Sequence, residues 1–269
     1  MRQAWVLVVL GCGRLGFDQQ QARDVDAGGS NGANADAKVG AEPTTDAGVD
    51  AALDPSLVAW WRMEALTPSS NPVGDVGVAD STGMSPMAQC GGQLPCPTIV
   101  AGKLGNAAQF DGSTTMLEAK SVAALIDSSF TIAAWVNLEA ANGGCIMTKG
   151  LGSGVYNSWA LCNDMATQAL FFYTAQTTAP NTLEPGNQVP LNSWHHVAGT
   201  WDGTSKVLYL DGNKLGDDQP PGIDFDSSDV FIGGDVDNGA ATSFLNGTVD
   251  EVRVYNRSLS AGEIATLAQ

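Results

Sequence analysis

The sequence predicts an all-β protein: an antiparallel β-sandwich with a short C-terminal helix. Three observations carry that prediction. Residues 194–264 read as a continuous series of strands and tight turns, through WHHVAGTWDG, KVLYLDGNKLG, DVFIGG and FLNGTVDEVRVYNRSLSAGEI. Asp-Gly stands at Asp202-Gly203 and Asp211-Gly212, where glycine accepts the positive φ of a tight hairpin. The composition agrees, since 32 glycines and 15% charged residues suit many short strands joined by turns.

Residues 57–63 (LVAWWRM) open the domain as a strand, with Trp60 and Trp61 on opposite faces because side chains alternate. Residues 64–98 are rich in Gly, Pro and Ser and read as a long irregular excursion. Residues 105–110 form a strand that ends in the turn Asp111-Gly112-Ser113. Residues 130–136 are apolar in both phases, as in a central strand covered on both sides. Residues 159–162 and 169–173 continue the series, and 179–192 read as a Pro/Asn/Gly loop. Strands follow at 194–201, 206–210, 230–232 and 248–255. Ser260 and Glu263 have the spacing of a capping box, and Leu259, Ile264 and Leu267 give the apolar stripe that packs the helix on the sandwich edge.

The amino terminus reads as a targeting segment. Arg2 precedes a short apolar core (AWVLVVL) and then Gly11-Cys12, which resembles a bacterial lipoprotein box cleaved before Cys12 and acylated on its thiol. The expected division is a signal peptide at 1–11, a lipid-anchored disordered linker at 12–56 and one β domain at 57–269. The linker has almost no large apolar residue and cannot offset its chain entropy by burial. As a flexible coil of about 40 residues it spans roughly 35 Å on average. Gly13 lacks the acidic residue that favours inner-membrane retention, so the expected address is the outer membrane or cell surface, with the lipid as the membrane contact.

The chain carries 29 acidic and 12 basic residues, net −17, which repels nucleic acid phosphates and excludes a nucleic-acid partner. Beyond Cys12 four cysteines remain, an even number in an exported domain, and they read as two disulfides. Three pairings are possible. Locality favours Cys90–Cys96, across CGGQLPC, and Cys145–Cys162, on two apolar segments joined by the Gly-rich turn KGLGSG. The rival is a zinc site, but the spacings match no CxxC pattern.

Five segments in order, GKLGNAAQFDG, SFTIAAWV, WHHVAGTWDGTSKVLYLDG, FIGG and NGTVDEVRVYNRSLSAGEI, resemble the laminin-G-like jelly roll of the concanavalin A-like lectin and glucanase superfamily. The resemblance runs from about residue 57 to the end. It implies a jelly-roll sandwich, and it leaves function open because this fold hosts many roles. It also implies a structural calcium near the Asp111 turn. Asp250 shares a strand phase with Val252 and Val254, so an inward face would bury its carboxylate, which then needs a cation or several donors. Asp111 and Asp250 are therefore the expected calcium ligands, with main-chain oxygens near Gly112 or Ser113. The other reading is that Asp111 shapes a turn and backbone amides hold Asp250.

His195 and His196 face opposite sides of a strand and cannot chelate one ion together, and no nucleophile motif surrounds them. A glycosidase needs two carboxylates about 5 to 9 Å apart. Asp250 and Glu251 are the local pair, and neighbours in a strand diverge; Glu64, Glu118, Glu139, Glu184 and Glu263 stand isolated. The expected role is thus recognition without catalysis, of a glycan or surface glycoconjugate. A protein-adhesion module is the alternative, and a glycoside hydrolase a more distant one. Candidate ligand-binding residues are Tyr156, Asn157, Trp159, Asn163 and Tyr173, around the Cys145–Cys162 region.

Overall fold

The computed structural model describes residues 54–70, 73–120, 129–152, 154–176 and 179–269, all within one unit, Gly48–Gln269. The signal peptide, Cys12 and the expected linker up to residue 53 lie outside the described residues. In chain order the strands are β1 (Leu57–Trp61), β2 (Thr67–Ser70), β3 (Val73–Val78), β4 (Ala88–Cys90), β5 (Thr98–Ala101), β6 (Asn106–Asp111) and β7 (Leu117–Ala119). There follow β8 (Phe130–Leu138), β9 (Gly144–Gly150), β10 (Asn157–Asn163), β11 (Leu170–Gln176), β12 (Ala179–Leu183) and β13 (His195–Trp201). The last are β14 (Lys206–Leu210), β15 (Asn213–Asp218), β16 (Val230–Ile232), β17 (Asp235–Asp237), β18 (Ala240–Thr242), β19 (Asn246–Tyr255) and the helix α1 (Ala261–Leu267).

Apart from the β17–β18 pair, these strands form two stacked antiparallel sheets, the sandwich that the alternation predicted. One has eight strands in the order β15-β14-β13-β8-β19-β6-β5, with β1 also paired to β19. The other has nine, in the order β12-β11-β10-β9-β16-β7-β4-β3-β2. Between them lies the main core, with Trp61, Phe110, Ile132, Val136, Trp159, Leu161, Phe172 and Val254 among its buried side chains. Trp60 and Trp61 separate as expected: Trp61 enters this core, whereas Trp60 joins an outer cluster with Tyr209, Tyr255, Leu259 and Ile264 beneath α1. Ser260 and Glu263 form the predicted capping box at the start of α1.

Three segments differ from the sequence reading. Residues 64–98 are not irregular, since β2, β3 and β4 build one edge of the nine-stranded sheet. Their Pro and Gly content suits short edge strands, where a missing ladder bond is tolerated. The loop at 179–192 contains β12, the other edge of that sheet. Residues 235–242, between the strands expected at 230–232 and 248–255, hold the β17–β18 hairpin. At the front of the domain, Asp54 and Ser56 lie in the expected linker, yet both bond to Arg257, which also holds Glu263 of α1.

Both local disulfides are present, Cys90–Cys96 and Cys145–Cys162, the latter bridging β9 and β10. Two lysines are buried and spend their ammonium groups on backbone carbonyls. Lys206 on β14 donates to the carbonyls of Phe172 (3.0 Å) and Asn181 (2.8 Å), tying one sheet to the other. Lys149 donates to the carbonyls of Asp226 (2.9 Å) and Ser228 (2.7 Å), fixing the segment that leads into β16. Lys149 thereby satisfies acceptors that irregular backbone would otherwise leave unpaired.

Candidate functional site

A β-bulge decides where the two neighbouring acids of β19 go. Asp250 pairs with Trp135 and Arg253 with Ala133, so two residues of β19 face one of β8. Glu251 takes φ 52° in that bulge. The parity expected for Asp250 is therefore wrong: it shares the outer face with Trp135 and Arg253, not the inner face with Val252 and Val254. Glu251 turns to the same outer face, where its carboxylate accepts from Trp60 Nε1 (2.8 Å), Arg62 Nε (3.4 Å) and Arg253. The premise that these two acids diverge fails for the same reason.

The loop at 102–105 covers Asp250. Its Oδ2 accepts from the Leu104 amide at 2.9 Å, while Oδ1 is buried without a donor among the described residues. Burial pushes its pKa up to about 7, against the pull of the Leu104 amide. On the far side of Trp135, in the next strand, His196 packs edge-on to that indole at 5.4 Å. Burial holds His196 down to about 4, with the Arg253 charge adding.

Asp111 is elsewhere. It pairs with Asn246, four residues before Asp250 on β19, which is about 13 Å along a strand. Its carboxylate accepts from the amides of Ser113 (2.9 Å), Thr114 (2.7 Å) and Thr115 (3.1 Å) and from the Thr114 hydroxyl (2.6 Å). Desolvation works against ionisation there, but these donors outweigh it and hold the pKa far below the usual carboxylate range. The expected calcium pair is thus not brought together. Asp111 is filled by its own turn, and among the described residues no group of three or more His, Cys, Asp or Glu could hold a metal ion.

The turn that Asp111 shapes has another use. Gly112, at φ +72°, lies so close to Asn246 that a Cβ would stand 2.7 Å from that residue's own Cβ. This tight turn forms one wall of a cleft of about 630 Å³. The floor is Gly144, the Cys145–Cys162 bridge and Phe171, on the outer face of the nine-stranded sheet. Asn142, Met165 and Phe244 supply the rim, and Asn163 and Asp164 the polar lining. Asp164 Oδ1 accepts from the amides of Ala166 (2.8 Å) and Thr167 (2.7 Å), so the rim turn is preformed.

The five predicted ligand-binding residues separate. Asn163 lines the cleft, and its Oδ1 is buried without a donor among the described residues. Tyr173 follows Phe171 in the outward phase of β11 and is half-buried; desolvation pushes its pKa up to about 12, with Tyr156, Asp235 and Asp237 adding. Asn157 is buried and donates to Asp235 (2.7 Å), holding the β17–β18 hairpin, with Tyr156 beside it. Trp159 is core, 1% exposed and 5.9 Å from the Phe130 ring, because strand alternation sends it inward with Leu161. The sequence reading missed Phe171, Asn142, Met165 and Phe244. For Phe171 a signal existed: the alternation of Leu170, Phe171 and Phe172 puts it on the outer face, opposite Cys162.

Two further groupings depart from the sequence reading. Glu118 is not isolated: Lys120 bonds both Glu118 and Asp229, and Asp229 lies within hydrogen-bonding reach of Glu118. Both acids line a second concavity of about 250 Å³, across the β17–β18 hairpin from the first. At the start of β13, Ser193 Oγ is 2.9 Å from His195 Nε2, and Asp211 Oδ2 is 2.8 Å from His195 Nδ1. Flanking amides there are committed, Asn192 N to the Leu138 carbonyl and His196 N to Asp211. The relay pins the 191–193 turn to the 211–213 turn.

Comparison with known proteins agrees with this architecture. Among solved structures, domain 4 of AbnA, a GH43 extracellular arabinanase from Geobacillus stearothermophilus in complex with arabinotriose, superposes with a TM-score of 0.63 at 17% identity, covering 80% of this chain and 98% of that one. The binding domain of Paraclostridial Mosquitocidal Protein 1 gives 0.58 at 15%, covering 79% of this chain and 52% of that one. A Trypanosoma rangeli sialidase gives 0.56 at 19%, and this chain spans 32% of it. At these identities the likeness is one of fold. No curated protein matches the chain. The laminin G family model described as the concanavalin A-like lectin/glucanases superfamily matches residues 111–265, more than half of the sequence, and the chain belongs to that superfamily.

Proposed function

We propose that this chain is a non-catalytic recognition module of an exported, lipid-anchored protein, and that it binds an oligosaccharide in the cleft over the Cys145–Cys162 bridge. One observation carries the reading: a single concavity combines a half-buried aromatic ring, Phe171, with the polar side chains of Asn142 and Asp164. A pyranose or furanose offers the same two surfaces, an apolar face and a rim of hydroxyls. The volume, about 630 Å³, suits a small-molecule site. The similar arabinanase domain was solved with arabinotriose, which supports a sugar as the ligand class.

Three points support the absence of catalysis. Asp250 and Glu251 are 0% and 1% exposed, closed to a polysaccharide. Glu118 and Asp229 are both bonded to the Lys120 ammonium, which competes with a substrate for them. Beside the Ser193 relay the Asn192 and His196 amides are occupied, so neither serves a tetrahedral oxyanion. The anchor rests on the Gly11-Cys12 box.

Titration calorimetry with arabinotriose and a panel of plant and bacterial oligosaccharides tests the site. Binding that weakens about tenfold in Phe171→Ala is expected. A blank panel together with capture of a defined protein partner would transfer the role to adhesion, and release of reducing sugar from a polysaccharide would overturn the non-catalytic reading. Palmitate labelling that disappears in Cys12→Ser is the expected result for the anchor.

A further inference from the structure

Resting on that reading, we infer that the cleft selects uncharged, hydroxyl-donating oligosaccharides and rejects sialylated, uronic and sulfated ones. The lining argues this on charge first. No lysine, arginine or histidine is among the residues that line the cleft, and the ionisable side chain there is Asp164. That acid stays ionised, because the Thr167 amide and hydroxyl and the Ala166 amide hold its pKa below the usual carboxylate range. An anionic sugar entering the cleft would lose water beside a like charge with no cation to meet it.

The backbone points the same way. Backbone amides are the other common anion ligands. At this rim the amides of Ala166 and Thr167 already point at Asp164 Oδ1. Beyond the cleft the hairpin adds Asp235 and Asp237, and the whole chain carries −17. The long-range field therefore slows the approach of any acidic glycan.

Matched ligands test the inference on the full chain: lactose against 3′-sialyllactose, and xylotriose against trigalacturonate, by calorimetry at low ionic strength. The neutral member of a pair that binds should do so at least about tenfold more tightly than its acidic counterpart. The gap should narrow in 0.5 M NaCl as the charges are screened. Met165, 74% exposed at the rim, offers a site where a cation can be added without disturbing packing. Met165→Lys should therefore raise affinity for the acidic member relative to the neutral one. Equal or tighter binding of the acidic member by the unmodified chain overturns the inference alone. A gap that Met165→Lys does not move also overturns it, by placing the discrimination outside this cleft. If neither class binds, including arabinotriose, the recognition reading itself fails and takes this inference with it.

Discussion

On the outer face of the eight-stranded sheet, Trp60 lies between the guanidinium groups of Arg62 (5.0 Å) and Arg253 (4.8 Å), with the Glu251 carboxylate bonded to its indole N–H. Trp135 on the same face is covered by Lys103, 4.0 Å from its ring centroid, and flanked by His196. On the outer face of the nine-stranded sheet, Phe171 lies beside a disulfide with open space above it and amides around it. Both faces place aromatic rings among polar groups. The first fills every approach to the rings with cations, a helix and a loop. The second leaves a ring half-uncovered beside the polar side chains of an open cleft. An aromatic in a β-sandwich becomes a binding platform where the surrounding polar groups are left unspent, and the contrast between the faces can be broken experimentally.

The largest effect should come from the closed face. Glu251→Ala removes a shared acceptor of Trp60 Nε1, Arg62 and Arg253 and strips the buried Trp60 indole N–H of its carboxylate. It should cost about 3–5 kcal/mol in chemical denaturation, the range for stripping one member from a buried ion pair. Arabinotriose affinity should hold in the fraction that remains folded. A parallel loss of affinity would show that the two faces are coupled. The open face is next. Replacing Cys145 and Cys162 together by alanine opens a link over 17 residues and should cost about 3 kcal/mol in stability. Here the cleft loses its floor, so affinity should fall as well.

Asp250→Asn sharpens the comparison through pH. The folded pKa, about 7, lies above the ordinary carboxylate value of 3.8, so between them the native acid keeps its proton while the unfolded one has lost it. That contribution is fully present below about pH 3.8 and is lost as pH rises through about 7. His196, depressed to about 4 from 6.5, runs oppositely, and its contribution is lost as pH falls between those values. The two slopes oppose each other in the wild type, so the variant minus wild-type difference is the clean readout. The amide should stabilise the fold by about 1–3 kcal/mol above pH 7 and by less at pH 4. A pH-independent difference would mean that Asp250 does not change its charge between those limits.

How much of this was written in the sequence depends on what kind of signal each residue leaves. The sandwich was legible because inward phases such as Phe130, Ile132, Ala134 and Val136 need no knowledge of partners. The disulfides were legible because each is local. The bulge at Glu251 was not, since nothing in VDEVRVY marks a left-handed residue, and one extra residue there reverses the face of Asp250. The expected calcium pair is apart for another reason, the register that sets Asp111 opposite Asn246, four residues before Asp250. The cleft was legible in part: its neighbourhood and Asn163 were found, but its walls come from loops near 112, 142, 165 and 244, which meet only after both sheets form. Trp159 was misassigned for a simpler reason, as strand phase settles its direction and chemistry alone does not.

The smallest expected effect concerns the second concavity. Lys120 is largely exposed and bridges Glu118 and Asp229. Desolvation raises the Glu118 pKa, Asp229 adds to that, and Lys120 opposes it. Lys120→Met should therefore push Glu118 further up and change stability by about 1 kcal/mol or less, as exposed ion pairs do. Because the β17–β18 hairpin stands between this concavity and the Phe171 cleft, arabinotriose affinity should stay within about twofold, too small a change to carry free energy worth assigning. A larger loss would mean that the ligand passes the hairpin and touches both hollows. The open face would then be one long groove reading a polymer, and the contrast with the closed face would extend across the whole nine-stranded sheet.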